Sequence, residues 1–131
     1  MVLLNKSYDD YADVIGRLLI GAIFAYAGIG KILSFEGTAG WIASVGLPFA
    51  SLLLVLVIVL ELFGGIMLVL GIKTKFVAFL LAGFTILATL IFHTSNLSDM
   101  TNQLLFTKNL MILGGLLFIS SKSAGRFSLL K

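Results

Sequence analysis

The chain has no cysteine, one histidine and one proline among its 131 residues. Without cysteine there is no thiol nucleophile, no disulfide, no iron–sulfur cluster and no thiolate-bound metal. A single histidine is too few for a histidine-rich metal site or a bis-histidine haem, so no metal is expected. The near absence of proline, and of any long polar tract, argues against a disordered chain. Charge is scarce too: Asp, Glu, Lys and Arg make up 11% of the residues, against about 25% in a soluble domain. The net charge of +3 is no mark of a nucleic-acid binder, and no nucleic-acid partner is expected. In so apolar a chain the positions of the basic residues report membrane orientation instead.

Apolar residues are abundant, at 60%, with a mean hydropathy of +1.15. They gather in four continuous segments, about 14–33, 48–70, 76–92 and 104–120. A spanning helix needs about 20 apolar residues, and the last two segments sit at the short end of that range. The runs do not alternate, which argues against a membrane β-barrel. Short connections make successive helices antiparallel neighbours. The expected fold is an all-α membrane protein, a four-transmembrane-helix antiparallel bundle, with residues 1–131 forming a single transmembrane domain and the lipid bilayer as its first partner. Pro48 suits the first turn of the second helix. Residues 34–47 carry Phe35, Trp41, Ile42 and Val45 and read as a short interfacial segment between helices 1 and 2, with Trp41 in the aromatic belt. A packed cap and a substrate gate both fit that segment.

Lys6, Lys73, Lys75, Lys122, Arg126 and Lys131 fall on one side of the expected spans. The positive-inside rule then places both termini in the cytoplasm. Ala25-Tyr26-Ala27 resembles a signal-peptide cleavage site, but Asp9, Asp10 and Asp13 precede the apolar run where basic residues belong. The first segment is therefore expected to remain as a span.

Glu61 is the most informative residue. It is the only charge in the 23-residue run 48–70, about 20 Å from one end of that helix and about 14 Å from the other. A carboxylate at that depth must be neutral, paired or facing a polar cavity. In the first helix Arg17, Gly21, Gly28 and Lys31 share a face, and small residues there admit a close neighbour. Gly64 and Gly65 lie on the Glu61 face of the second helix. Arg17 is the expected partner of Glu61, the two forming an inner polar core. That core reads either as an ion pair that only fixes packing or as a carboxylate that handles a proton or a ligand. In the third helix Ala78, Ala82, Thr85, Thr89 and His93 make a small-and-polar stripe, with the threonine hydroxyls expected to bond back to carbonyls four residues earlier. Lys108 and Asn109 open the apolar run of the fourth. Lys108 either snorkels to the interface or joins Lys31, His93 and Asn109 in an outer vestibule below Glu36 and Asp99. Such a vestibule suits a carbonyl, a quinone or an anionic head group.

The order of Arg17-Leu-Leu-Ile-Gly21, Phe24…Gly28-Ile-Gly-Lys31-Ile-Leu, Phe35, Gly46-Leu-Pro48, Glu61-Leu-Phe-Gly-Gly, Leu70-Gly71-Ile-Lys-Thr and Phe106-Thr-Lys108-Asn109 resembles the DoxX family of small bacterial membrane proteins. That family is sometimes grouped with the DoxD subunit of thiosulfate:quinone oxidoreductase. The resemblance runs from about Arg17 to Leu117. It implies a four-helix protein of the bacterial inner membrane, linked through partner proteins to quinone-coupled sulfur oxidation and to redox or oxidative-stress complexes. The Arg, Lys, Glu and Lys-Asn positions carry over as family-like residues without assigned catalytic roles.

The expected function is thus an accessory subunit or binder of a lipid-soluble, quinone-like ligand in membrane redox metabolism. No soluble redox domain is encoded, so a membrane or soluble redox partner must supply electrons. A standalone enzyme is less expected than a subunit of a quinone-linked oxidoreductase complex, and quinone is the one candidate cofactor. A small transporter or proton-coupled carrier is the alternative motivated by mid-membrane charge; four helices would then require a homo-oligomer. A purely structural scaffold is the third reading.

Overall fold

Long apolar stretches can satisfy their backbone away from water only through hydrogen bonds within the segment, and every one of the apolar runs becomes a helix. The computed structural model describes residues 6–92 and 98–131. Its elements are α1 (Lys6–Leu33), α2 (Phe35–Ser44), α3 (Ala50–Leu70), α4 (Thr74–Phe92) and α5 (Met100–Ser120). α1, α3, α4 and α5 are long and apolar enough to cross a bilayer, and α2 is the short segment between the first two of them. The described residues hold no strand, only an isolated parallel bridge between Ile72 and Leu130. The all-α, four-span bundle is as expected.

Several boundaries differ from the sequence expectation. α1 starts at Lys6 rather than near Val14, because its polar first turns are tied to the C-terminal tail. Asp13 Oδ2 accepts the Gly125 N–H at 2.9 Å and Asp10 Oδ1 accepts the Arg126 N–H at 3.1 Å. Pro48 does not begin the next helix. Phe49 takes a left-handed conformation at φ 55° and Gly46 turns the chain at φ 91°. Helical hydrogen bonding therefore starts only at Ala50. α4 and α5 each start slightly early, at Thr74 and Met100.

α1 and α3 form the most extensive contact in the bundle. Gly21 and Gly65 face each other so closely that a methyl group on either would meet the backbone of the other helix. Gly28 abuts Leu62, whose amide nitrogen would lie 3.0 Å from an added Cβ. This antiparallel register sets Arg17 beside Leu68 and Lys31 beside Glu61. α3 next packs on α4, with Gly64 against Leu81, and α4 packs on α5. α1 and α5 meet lightly, at Ile20 and Gly115.

Two apolar clusters hold the bundle. One joins Phe24, Leu68, Val77, Leu81 and Leu116 toward the end that carries the C-terminal tail. The other joins Ile42 of α2 to Leu54 and Ile58 of α3, with Phe35 and Phe92 packed against them. α2 is therefore a packed cap over the opposite end, held also by Trp41 and Phe92, whose ring centroids are 4.5 Å apart.

Candidate functional site

A cavity of about 490 Å³ lies between the two clusters, within the roughly 300–1,000 Å³ of small-molecule sites. Ile20 and Phe24 of α1, Leu54 and Val57 of α3, Phe84 of α4 and Ile112 of α5 supply apolar wall, and Trp41 of the cap lines it too. Leu19 and Ile23 also line it while remaining largely exposed. The rim thus lies along the thin α1–α5 contact. Polar groups are few: Lys31, Glu61, Thr38, Thr85, Lys108 and Asn109.

Glu61 is 4% exposed, and Lys31 Nζ lies 2.8 Å from its Oε1. That ion pair is the one contact of Oε1 with a cation among the described residues. The pair explains how a charge survives at this depth, since Lys31 neutralises it in place.

Arg17 is not that partner, which corrects the expected Arg17–Glu61 core. Leu68 is seven residues past Glu61, about 10 Å along the helix, and Arg17 binds there. Its Nη1 donates to the Leu68 carbonyl at 2.9 Å, Nε to Asp13 Oδ2 at 2.9 Å, and Nη2 to the Phe127 carbonyl. It is fully buried and belongs to the tail end, outside the lining of the cavity that holds Glu61. The acceptors Asp10 and Asp13 escaped the sequence reading. The i,i+4 spacing of Asp13 and Arg17 was the available signal.

The expected vestibule is partly assembled. Lys31, Lys108 and Asn109 line the same cavity, and Glu61 joins them there. His93 falls outside the described residues. Glu36 and Asp99 are exposed and take no part in the lining. The threonines behave as expected: Thr85 donates to the Leu81 carbonyl at 2.8 Å and Thr89 to the Thr85 carbonyl at 2.7 Å. Thr89 Oγ1 also accepts from Asn109 Nδ2 at 3.0 Å. That bond fixes the Asn109 side chain and joins α5 to α4 at the depth of Lys31 and Lys108.

Comparison with known proteins bears on this arrangement. The DoxX family matches residues 12–94, a span covering most of α1 and all of α2 to α4. The inner membrane protein YqjF of Escherichia coli K12 is 37% identical over 124 residues, covering 95% of this chain and 93% of that protein. The inner membrane protein YphA of the same organism is 32% identical over 122 residues, covering 88% of this chain and 86% of that one. A protein of Bacillus subtilis 168 named putative oxidoreductase CatD is 33% identical over 79 residues, covering 60% of this chain and 57% of that one. No solved structure gives a significant match. With a four-span bundle, a family match over most of its helices and near full-length similarity to inner membrane proteins, this chain belongs to the DoxX family of integral membrane proteins.

Proposed function

We propose that the protein binds a lipid-soluble, quinone-like ligand in the cavity between its helices, as an accessory subunit of a membrane redox assembly with both termini in the cytoplasm. The observation that carries this reading is the largely apolar cavity of about 490 Å³ with the Lys31–Glu61 pair set into its wall. Apolar walls hold a ring and chain, and a few convergent polar groups orient a carbonyl. Lys31, Lys108 and the Asn109 amide are the available donors for a quinone oxygen. Electrons must come from a partner, because the chain has no cysteine and one histidine with which to hold a carrier of its own. The name of the Bacillus relative, a putative oxidoreductase, supports a redox setting.

The test is organic extraction of the protein purified gently from bacterial membranes, with quinone quantified per chain. The expected result is bound quinone in the wild type and a loss of about tenfold in Lys108→Ala, the size of effect that follows from removing one hydrogen bond to a charged donor. Quinone retained at the wild-type level in Lys108→Ala and Lys31→Ala would overturn the assignment.

A further inference from the structure

The charges around the cavity are unequal. Its lining includes the ammonium groups of Lys31 and Lys108 and the single carboxylate of Glu61. Lys31 is taken up by Glu61 at 2.8 Å. The Lys108 ammonium makes no ion pair and no hydrogen bond among the described residues. Its neighbour Asn109 is already committed through its amide nitrogen to Thr89. The acidic residues that might balance Lys108 from above, Glu36 and Asp99, do not line the cavity. The described lining therefore carries one cation more than it neutralises.

Lys108 stands eight residues into α5, about 12 Å along the helix. Its side chain is exposed and lines the cavity, so an oxyanion brought there gives it the charge partner that the described residues do not supply. An apolar body and one anionic oxygen describe the matching molecule.

We infer that the ligand of this site is a lipophilic monoanion, an ionised hydroxyquinone or comparable acidic ring head, in preference to a neutral quinone. This rests on the ligand-binding reading above and adds to it the charge of the ligand and the residue that reads it. Lys108 selects the anion, and Lys31, held by Glu61, is the donor in the lining for a ring carbonyl. The thin α1–α5 contact, with Leu19 and Ile23 at the rim, leaves the hydrocarbon chain a way out toward lipid.

Trp41, the only tryptophan in the chain, lines the cavity and gives a direct readout. Quenching of its fluorescence is titrated in detergent with an alkyl-substituted 2-hydroxy-1,4-naphthoquinone, which is ionised at neutral pH, and with its methyl ether, which is not. The expected result is about tenfold tighter binding of the hydroxy compound, as for a charge pair formed in a partly desolvated site. In Lys108→Met the ratio of the two affinities falls toward one, and in Lys108→Arg it is kept. Unchanged helical melting of each variant shows that folding is not at issue. Equal affinity of the two compounds in the wild type overturns the inference while leaving the ligand-binding reading intact. A preference that survives Lys108→Met also overturns it, by removing the residue said to carry it. Failure of both compounds to quench Trp41 overturns the ligand-binding reading itself, and this inference with it.

Discussion

Arg17 and Glu61 are both buried in the bundle, and their partners set what each can do. Arg17 has every useful direction filled, by Asp13 and by the carbonyls of Leu68 and Phe127. Arg17→Met should therefore lower stability by about 3–5 kcal/mol, the usual result of stripping one partner from a buried charged network. Asp13→Asn, which keeps one acceptor oxygen, should cost about 1–3 kcal/mol. Denaturation in mixed micelles followed by circular dichroism measures both. Glu61 instead has a single ionic neighbour, and the Lys31 side chain is 30% exposed. Lys31→Met should cost about 3 kcal/mol, the low end for a broken buried pair. A double-mutant cycle separates the two sites. Lys31→Met with Glu61→Gln should recover part of the summed loss, while Arg17→Met with Glu61→Gln should be additive within about 0.5 kcal/mol, as for sites without shared partners. Strong coupling in the second cycle would put Arg17 back beside Glu61.

At the level of elements, the α1–α3 seam sets Lys31 against Glu61 in the cavity wall. It rests on small residues in register, and Gly65 has no room for a Cβ against Gly21 and Ala25. Gly65→Ala should destabilise the bundle by about 1–3 kcal/mol, the range for overpacking. Gly83 has nothing within 4 Å of an added Cβ. Gly83→Ala should be neutral or stabilising by up to about 1 kcal/mol, through helix propensity alone. Thermal melts of the two variants side by side check the contrast; equal losses would mean that the seam is looser than the contacts require. α5 is held differently. Only Leu116 of that helix is buried, and Asn109 to Thr89 is a polar tie to α4 near the cap. Asn109→Leu should loosen α5 and change access to the cavity more than overall stability. Faster exchange of a bound quinone analogue in that variant is the expected outcome, read by Trp41 quenching kinetics.

Across the whole molecule, the tail end is tied shut and the cap end holds the cavity. Residues 125–130 bind α1 through Asp10 and Asp13 and bind the α3–α4 turn through the Lys73 N–H to the Leu130 carbonyl at 2.7 Å and the Leu130 N–H to the Gly71 carbonyl at 3.0 Å. Gly71 sits in the left-handed region at φ 75° and ends α3 with Ile72 N–H bonding back to the Met67 carbonyl at 2.9 Å. Truncation after Lys122 would remove the Phe127 acceptor of Arg17 together with the acceptors' backbone donors. The expected result is a lower melting temperature with ligand binding in the cavity retained once the protein is folded at low temperature. Loss of binding in proportion to the tail's removal, without loss of helix, would instead place the tail in the site.

The sequence by itself determined the spans, because twenty apolar residues in lipid have only the helix as a way to satisfy their backbone. It also determined the small-residue faces, since spacings of three, four and seven place Gly21 with Gly28 and Glu61 with Gly64 and Gly65 whatever the neighbours are. The threonine back-bonds were legible for the same reason, being local to one helix. What one helix cannot know is its axial register against another. A buried carboxylate in α3 had two cations available on the facing side of α1, fourteen residues apart, and about 21 Å separates them along that helix. Tertiary packing at Gly21, Gly28 and Gly65 chose between them, delivering Lys31 to Glu61 and leaving Arg17 to Asp13 and the tail. The tail's role was invisible for a related reason: it acts through backbone groups, which every residue carries and no side-chain pattern announces.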